Sequence, residues 1–370
     1  MRHLLLAMFL SVALIGCSDE GTPEKQTAAD IRAGKVVAEK ECKACHGLDG
    51  KGAAPGIPNL AGQRGRYIMA ALQEYKEGRR VHAALQAIAT DLTDDQTRGV
   101  AAFYASLAPT AAEKGPVFSP YENGKTVAAA CAPCHGADGN SKTAGTPNLA
   151  GQQPIYFVAA TQEYLTGKRE SAPMDPMLRT LSKLDIESVA LYFASQTPTQ
   201  RSAPPVGNAA QGEPRTAVCG GCHGSHGVST DTATPSLAAQ DPQYLVHAIK
   251  GYRTTRKNDT MSRVVSGLSD QEIDDIVAFY ATQTSKPAED GQNLLKDITD
   301  KCNRCHAGDI NNPALAIPII NAQDKDYLII ALRAYRDGKR GNSMMHNMSV
   351  PYGDSIIESI ASYYASLPQK

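Results

Sequence analysis

Eight of the nine cysteines fall in four copies of one frame, C-x-x-C-H. Residues i and i+3 of a helix project to the same side. Two thiols at this spacing therefore reach the two vinyl groups of one porphyrin, and the histidine that follows reaches its iron, as in c-type haem attachment. A lone C-x-x-C would also fit a disulfide, a redox pair or half a zinc site, but the repeated histidine favours four covalently attached haems. The cysteine pairs are Cys42 and Cys45, Cys131 and Cys134, Cys219 and Cys222, and Cys302 and Cys305, and the predicted proximal iron ligands are His46, His135, His223 and His306.

The surroundings of the four frames repeat as well. The step from one first cysteine to the next is 89, 88 and then 83 residues. A proline lies 16 residues after each first cysteine, and a tyrosine lies 25 residues after it. The chain therefore contains a fourfold internal repeat. Units of about 85 residues are small for an independent core, and a buried, doubly tethered haem would stabilise each of them.

Helix signals recur in each repeat and predict an all-α fold. A short helix leads into the cysteines, a second begins near the repeated tyrosine, and a third closes the unit. Capping boxes at Thr93 and Ser269 open two of the closing helices. The predicted domains are 30–108, 120–197, 207–284 and 288–370.

The amino terminus predicts export and a lipid anchor. Residues 4–16 form a 13-residue apolar run after Arg2, too short to span a bilayer comfortably and typical of a secretory signal. The run ends in Leu-Ile-Gly-Cys17, which resembles a bacterial lipoprotein signal and would make Cys17 the lipidated first mature residue. An ordinary signal with a chance cysteine is the alternative. We predict a signal peptide at 1–16, a lipidated flexible tether at 17–29, and a periplasm-facing protein; Ser18 resembles outer-membrane sorting signals of Gram-negative bacteria.

Composition argues against several other functions. The 370 residues carry a formal net charge of −1, with no basic run interleaved with aromatic residues, so no nucleic-acid partner is expected. Aromatic residues make up only 6% of the chain and tryptophan is absent, so large rings contribute little to the core. There is no Gly-rich phosphate loop or serine nucleophile elbow to indicate a second cofactor or hydrolysis.

These motifs resemble those of the class I cytochromes c, and more closely the cytochrome c4 type, in which two such domains lie in tandem. The resemblance rests on C-x-x-C-H, on the Pro-Asn-Leu-Ala-Gly-Gln segments 58–63 and 147–152, and on the closing Phe-Tyr-Ala-Ser helix. It implies four tandem class I cytochrome c domains arranged as two c4-like dihaem pairs, end to end, with residues 198–214 as the seam. It also implies that the proline carbonyls hold the proximal histidines and that a methionine before the last helix is the sixth iron ligand. The implied prolines are Pro58, Pro147, Pro235 and Pro318.

Counting back from the closing helices places the sixth-ligand candidates in one register. Three repeats have a methionine there, and the first has Leu85, which has no lone pair for iron. His82, three residues earlier, is the candidate sixth ligand of haem 1; a vacant or water-bound site, or another group, remains open. His/Met ligation would give the other three haems higher potentials than a bis-histidine haem 1. The methionines are Met174, Met261 and Met345.

Two classes of function fit these residues. In the favoured one, the protein carries single electrons and makes no bond to a substrate. Its partners would be cytochromes, a membrane oxidoreductase or an outer-membrane electron conduit. In the alternative, haem 1 is open and acts as a small-molecule reductase or peroxidase supplied by the other three. An enzyme with a cysteine axial ligand, as in one type of thiosulfate dehydrogenase, is disfavoured because the eight cysteines outside the lipid site are all assigned to haem attachment.

Overall fold

The computed structural model of the chain describes residues 28–202, 204, 206–307 and 316–369. The predicted signal peptide, Cys17 and most of the tether lie outside the described residues. Across the described residues the regular structure is helical and no strand forms; Arg80 and Arg340 make an isolated antiparallel bridge. The predicted all-α fold is confirmed. No helix in the described ranges is long and apolar enough to cross a membrane.

The helices form four consecutive groups, called units 1 to 4 here. Unit 1 contains α1 (Ala28–Glu41), α2 (Lys43–His46), α3 (Gly65–Lys76), α4 (Ala83–Asp91) and α5 (Asp94–Ser106). Unit 2 contains α6 (Pro120–Ala128), α7 (Ala132–His135), α8 (Pro154–Leu165), α9 (Met174–Leu178) and α10 (Lys183–Ala194). Unit 3 contains α11 (Ala209–Gly212), a 3₁₀ turn (Glu213–Thr216), α12 (Ala217–His223), α13 (Pro242–Gly251), α14 (Asp259–Val265) and α15 (Asp270–Ala281). Unit 4 contains α16 (Leu294–His306), α17 (Lys325–Arg336), α18 (Ser343–Ser349) and α19 (Asp354–Ser366).

Each unit has its own apolar cluster, built around its closing helix. The predicted capping boxes at Thr93 and Ser269 are present, and Ser182 makes a third with Asp185. Because these caps satisfy the first N–H groups, the closing helices begin at fixed residues and hold their apolar faces in register. The most deeply buried aromatic side chains of these helices are Tyr104, Phe193, Tyr280 and Tyr364.

A glycine lets the leading helix lie directly against the closing helix in three units. A Cβ on Gly34 would overlap the backbone carbonyl of Gly99, and one on Gly124 would overlap the carbonyl of Ser188. Gly212 meets the carbonyl of Asp275 in the same way. This close approach brings the cysteine frames, which follow the leading helices, onto the cores.

The units do not pair as 1 with 2 and 3 with 4. Gln323 of unit 4 donates through Nε2 to the carbonyl of Asn59 in unit 1 at 2.9 Å, and Gln240 of unit 3 donates likewise to Asn148 of unit 2 at 2.9 Å. Unit 1 therefore pairs with unit 4, and unit 2 with unit 3. The expectation of consecutive pairs placed end to end, with a seam at 198–214, is wrong, because that segment connects the two members of one pair.

The two pairs meet where unit 2 contacts unit 4. Helices α10 and α19 pack together. Lys183 Nζ lies 3.0 Å from Asp354 Oδ2, and Glu187 Oε2 accepts a hydrogen bond from the Ser355 backbone N–H at 2.7 Å. The segment before α16 also contacts unit 2, because the Ala288 N–H donates to the Ala194 carbonyl at 2.8 Å.

We expect Asp354→Asn to weaken this junction in a pH-dependent way. Burial alone raises the pKa of the Asp354 carboxyl, but hydrogen bonds from Arg336 and Lys183 outweigh it and hold the pKa at about 2. The ordinary value is about 3.9, so this carboxylate stabilises the fold above about pH 4 and the contribution is lost as the pH falls towards 2. The variant should lose about 2 kcal/mol of unfolding free energy at pH 7 and much less at pH 2.5.

Denaturant unfolding at the two pH values measures this effect. Asp95→Asn is the matched control, because Asp95 is also paired with an arginine but its side chain is 86% exposed. Its loss should be within about 0.5 kcal/mol at either pH. An equal loss at pH 7 and pH 2.5 for Asp354→Asn would contradict the assignment.

Candidate haem-binding sites

Each C-x-x-C-H frame forms a single helical turn. In unit 1 the His46 backbone N–H donates to the carbonyl of Cys42 at 3.0 Å, and in unit 2 His135 donates to Cys131 at the same distance. None of the eight described cysteines is in a disulfide. The two thiols of each frame therefore lie on one side of a turn, as two thioether bonds to one porphyrin require.

The first cysteine of each frame lies against the core. Burial raises the pKa of the Cys42 thiol to about 11, and burial also raises the thiol pKa of its three counterparts. A thiol with a raised pKa is a poor metal ligand, because the thiolate is the form that binds metals. An uncharged thioether suits this position better than a thiolate. The counterparts are Cys131, Cys219 and Cys302.

The four histidines make equivalent hydrogen bonds and have similar electrostatic environments. Each Nδ1 lies within hydrogen-bond distance of the carbonyl of the proline twelve residues later. A carbonyl only accepts, so Nδ1 carries the proton and the Nε2 lone pair is left for a metal. Burial lowers the pKa of each imidazole, which favours the neutral form that binds iron. The contacts are His46 to Pro58 at 3.0 Å, His135 to Pro147 at 2.9 Å, His223 to Pro235 at 2.8 Å and His306 to Pro318 at 2.9 Å.

A tyrosine hydroxyl of the closing helix holds the loop after the frame in two units. Tyr104 donates to the carbonyl of Gly47 at 3.0 Å, and Tyr192 donates to the carbonyl of Ala137 at 3.0 Å. In unit 2 this hydroxyl comes one residue earlier than in unit 1, because the order is Tyr-Phe instead of Phe-Tyr. An alignment by position alone pairs Phe193 with Tyr104 and misses the contact.

The three candidate methionine ligands lie in the short helices that follow α8, α13 and α17. Met261 and Met345 are each the third residue of such a helix, and both are half-buried. Asn258 caps α14, because its Oδ1 accepts a hydrogen bond from the Met261 N–H at 3.0 Å. Asn342 caps α18 in the same way, with its Oδ1 3.1 Å from the Met345 N–H. Met174 begins α9.

Met177 lies close to Met174 but has different surroundings. It packs against the buried cluster of unit 2, which contains Val189 and Phe193. This side chain fills the core, and Met174 is left as the candidate ligand of the unit.

His82 of unit 1 occupies the capping position that asparagine has in units 3 and 4. Its Nδ1 accepts a hydrogen bond from the Leu85 N–H at 3.2 Å, and the side chain is exposed. In this arrangement the neutral ring carries its proton on Nε2. To bind iron through Nε2 the ring would have to move the proton to Nδ1 and give up the cap.

Buried arginines line the contact between paired units, and their surroundings fit the carboxylates that a haem carries. Arg340 Nη2 donates to the Tyr67 hydroxyl at 3.0 Å, while its buried Nε has no hydrogen-bond partner in the described residues. Arg80 pairs with Glu74, but Arg340 and Arg256 make no ion pair within the described ranges. The unused Nε–H of Arg340 would find a charge-assisted acceptor in a haem propionate.

Comparisons with known proteins decide the family. Residues 31–108 and 121–196 match the profile of the cytochrome c family. Cytochrome c4 from Thiocapsa roseopersicina is 31% identical over 188 residues, which are 46% of this chain and 98% of that protein. The chain belongs to the cytochrome c4-like class I cytochromes c. Membership of this family implies covalently bound haem c, and this protein is accordingly a multihaem electron carrier.

Two further similarities extend the comparison. The thiosulfate dehydrogenase electron acceptor of Stutzerimonas stutzeri is 31% identical over 211 residues, covering 52% of this cytochrome and 96% of that protein. The crystal structure of reduced recombinant cytochrome c4 from Pseudomonas stutzeri is 30% identical, with a TM-score of 0.41, and covers 45% of this cytochrome and 99% of that chain. Each relative is thus about half as long as this cytochrome.

Proposed function

We propose that this cytochrome carries single electrons through four covalently bound haems, one in each of the domains 30–108, 120–197, 207–284 and 288–370. The observation that supports this most is the fourfold recurrence of one site. In every unit a cysteine pair on one turn is followed by a histidine whose Nδ1 lies 2.8 to 3.0 Å from a proline carbonyl. The histidine is buried in units 2 and 3 and half-buried in units 1 and 4. Units 3 and 4, which lie outside the family match, have the same contact as units 1 and 2.

The axial ligands proposed follow the same repeat. The proximal ligands are the four histidines, oriented by Pro58, Pro147, Pro235 and Pro318. Met174, Met261 and Met345 are the sixth ligands in units 2, 3 and 4. His82 is the candidate in unit 1, where its ligation would replace the cap that it now gives to Leu85.

Replacing Cys219 and Cys222 together with serine is expected to reduce covalent haem from four to three per polypeptide. Serine forms no thioether, so unit 3 would lose its porphyrin while the other frames stay intact. Haem absorbance per polypeptide after denaturation and acid–acetone extraction measures this. Cys17→Ser is the control, because it should release the protein from membranes and leave four haems. Four haems in the double variant would show that unit 3 binds none covalently through these thiols.

The proposed partners are other redox proteins on the periplasmic side of a Gram-negative membrane. They include cytochromes, a membrane oxidoreductase or an outer-membrane electron conduit. One relative is named as the electron acceptor of thiosulfate dehydrogenase, which supports a redox enzyme of that kind as one donor. Attachment through a lipid on Cys17 would keep the carrier at the membrane surface, in the outer membrane by its sorting signal.

An enzyme with an open haem in unit 1 is the second candidate. It is favoured by Leu85, which cannot bind iron, and by the use of His82 Nδ1 as a helix cap. His82→Asn separates the two functions, because asparagine keeps the cap, as in units 3 and 4, and removes the imidazole. If His82 is a ligand, the reduced variant binds carbon monoxide at one haem in four and the reduced wild type binds none. Equal, rapid uptake at one haem in both proteins would instead support the open-site enzyme.

A further inference from the structure

The residue after each histidine-holding proline is hydrogen-bonded to another unit. In unit 1, the backbone N–H of Asn59 donates to Gln323 Oε1 of unit 4 at 2.6 Å. In unit 4, the backbone N–H of Ile319 donates to Gln63 Oε1 of unit 1 at 2.9 Å. Because the preceding residues are the prolines that contact His46 and His306, the segments that hold these two histidines meet at this interface.

Units 2 and 3 repeat this reciprocal arrangement. The Asn148 N–H donates to Gln240 Oε1 at 2.6 Å, and the Ser236 N–H donates to Gln152 Oε1 at 2.9 Å. Gln153 adds a bond from its Nε2 to the carbonyl of Ser229 at 2.7 Å. The preceding prolines contact His135 and His223, so these two histidine-holding segments also meet.

Charged groups reach across the interface between units 1 and 4. Arg64 of unit 1 donates through Nη1 to the carbonyl of Ile317 in unit 4 at 3.0 Å. From the other side, Arg340 of unit 4 donates to the Tyr67 hydroxyl of unit 1 at 3.0 Å. A charged side chain therefore crosses this interface in each direction.

We propose that electrons exchange fastest between the haem sites of units 1 and 4 and between those of units 2 and 3. The haems of units 1 and 2, and those of units 3 and 4, are then not direct neighbours in the electron path. This inference rests on the proposed four-haem electron carrier. Each exchange transfers one electron from a ferrous to a ferric site and needs no other reactant.

The contact between the pairs gives the order of the units. Units 2 and 4 meet through α10 and α19 and through the ion pair of Lys183 with Asp354. Units 1 and 3 are therefore the ends of the row, and the electron path runs in the order 1, 4, 2, 3 or its reverse. The proposed lipid anchor precedes unit 1 in the sequence, so unit 3 is the end of the row farther from the anchor.

A site-resolved redox titration of the full holoprotein tests this order. Met174→His, Met261→His and Met345→His each change the proposed sixth ligand of one haem, so the NMR signals that shift identify haems 2, 3 and 4. The remaining set of haem signals belongs to haem 1. Because the interaction of two charges falls with their separation, oxidation of one haem shifts the potential of its nearest neighbour most. We expect the shift between haems 1 and 4, and that between haems 2 and 3, to be at least twice the shift between haems 1 and 2.

Matched interface variants sharpen the test. Gln63→Ala removes contacts of the first interface and should reduce only the interaction of haems 1 and 4. Gln152→Ala is its counterpart and should reduce only the interaction of haems 2 and 3. Four one-electron steps with the largest shift between haems 1 and 2 or between haems 3 and 4 would overturn the pairing alone. Fewer than four steps would overturn the haem count and the pairing with it.

Discussion

Met174→Leu is expected to create a haem in unit 2 that binds carbon monoxide. Leucine at this position reproduces what unit 1 has naturally at Leu85, a side chain without a lone pair. The reduced variant should take up one more equivalent of carbon monoxide than the reduced wild type. The potential of that haem should also fall, because a methionine ligand raises the potential of haem iron. Stopped-flow mixing with carbon monoxide and a redox titration measure the two effects.

Met177→Leu is the matched control for this experiment. Met177 is three residues away in the same short segment and packs against the cluster of unit 2. A volume-conserving change there should cost less than about 1.5 kcal/mol and leave carbon monoxide uptake unchanged. If Met177→Leu created a haem that binds carbon monoxide and Met174→Leu did not, the sixth ligand of unit 2 would be Met177 and not Met174.

Gly124→Ala is expected to separate α6 from α10 and strongly destabilise unit 2. The added Cβ would overlap the carbonyl of Ser188 and press on Cβ of Tyr192. Because both obstacles lie on a buried helix, the helices must move apart, and overpacking of this kind costs about 1 to 3 kcal/mol or more. The midpoint of denaturant unfolding measures the loss.

Gly267→Ala controls for the general effect of a methyl group on a glycine. Nothing lies within 4 Å of a Cβ at this position. We expect a change within about 0.5 kcal/mol, as for other open surface positions. Similar losses in both variants would mean that the close contact of α6 and α10 does not matter for stability.

Local features of the fold could be predicted from the sequence, because they depend on short spacings. The capping boxes at Thr93 and Ser269 need only a hydroxyl and a carboxylate or amide three residues apart. The cysteine frames likewise depend on one helical turn. The glycines that allow the helices to cross were missed, although Gly124 and Gly212 each lie seven residues before a frame, and this repeated spacing was the available signal.

The pairing of units could not be predicted from the sequence. The contact residues at the two interfaces recur in every repeat, since Gln63, Gln152, Gln240 and Gln323 each make equivalent bonds. Four repeats with the same contacts allow several pairings, and only the packing of linkers and closing helices selects one. The capping role of His82 was also missed, because a histidine in a loop reads equally well as a ligand.

The intact mass of the purified holoprotein, with its iron content, tests the central claim most directly. Four sites that each join a porphyrin through two sulfur atoms predict a polypeptide carrying four haems and four irons, all retained after denaturation. Two haems, in the stretches 31–108 and 121–196 alone, or zinc in place of iron, would contradict the account.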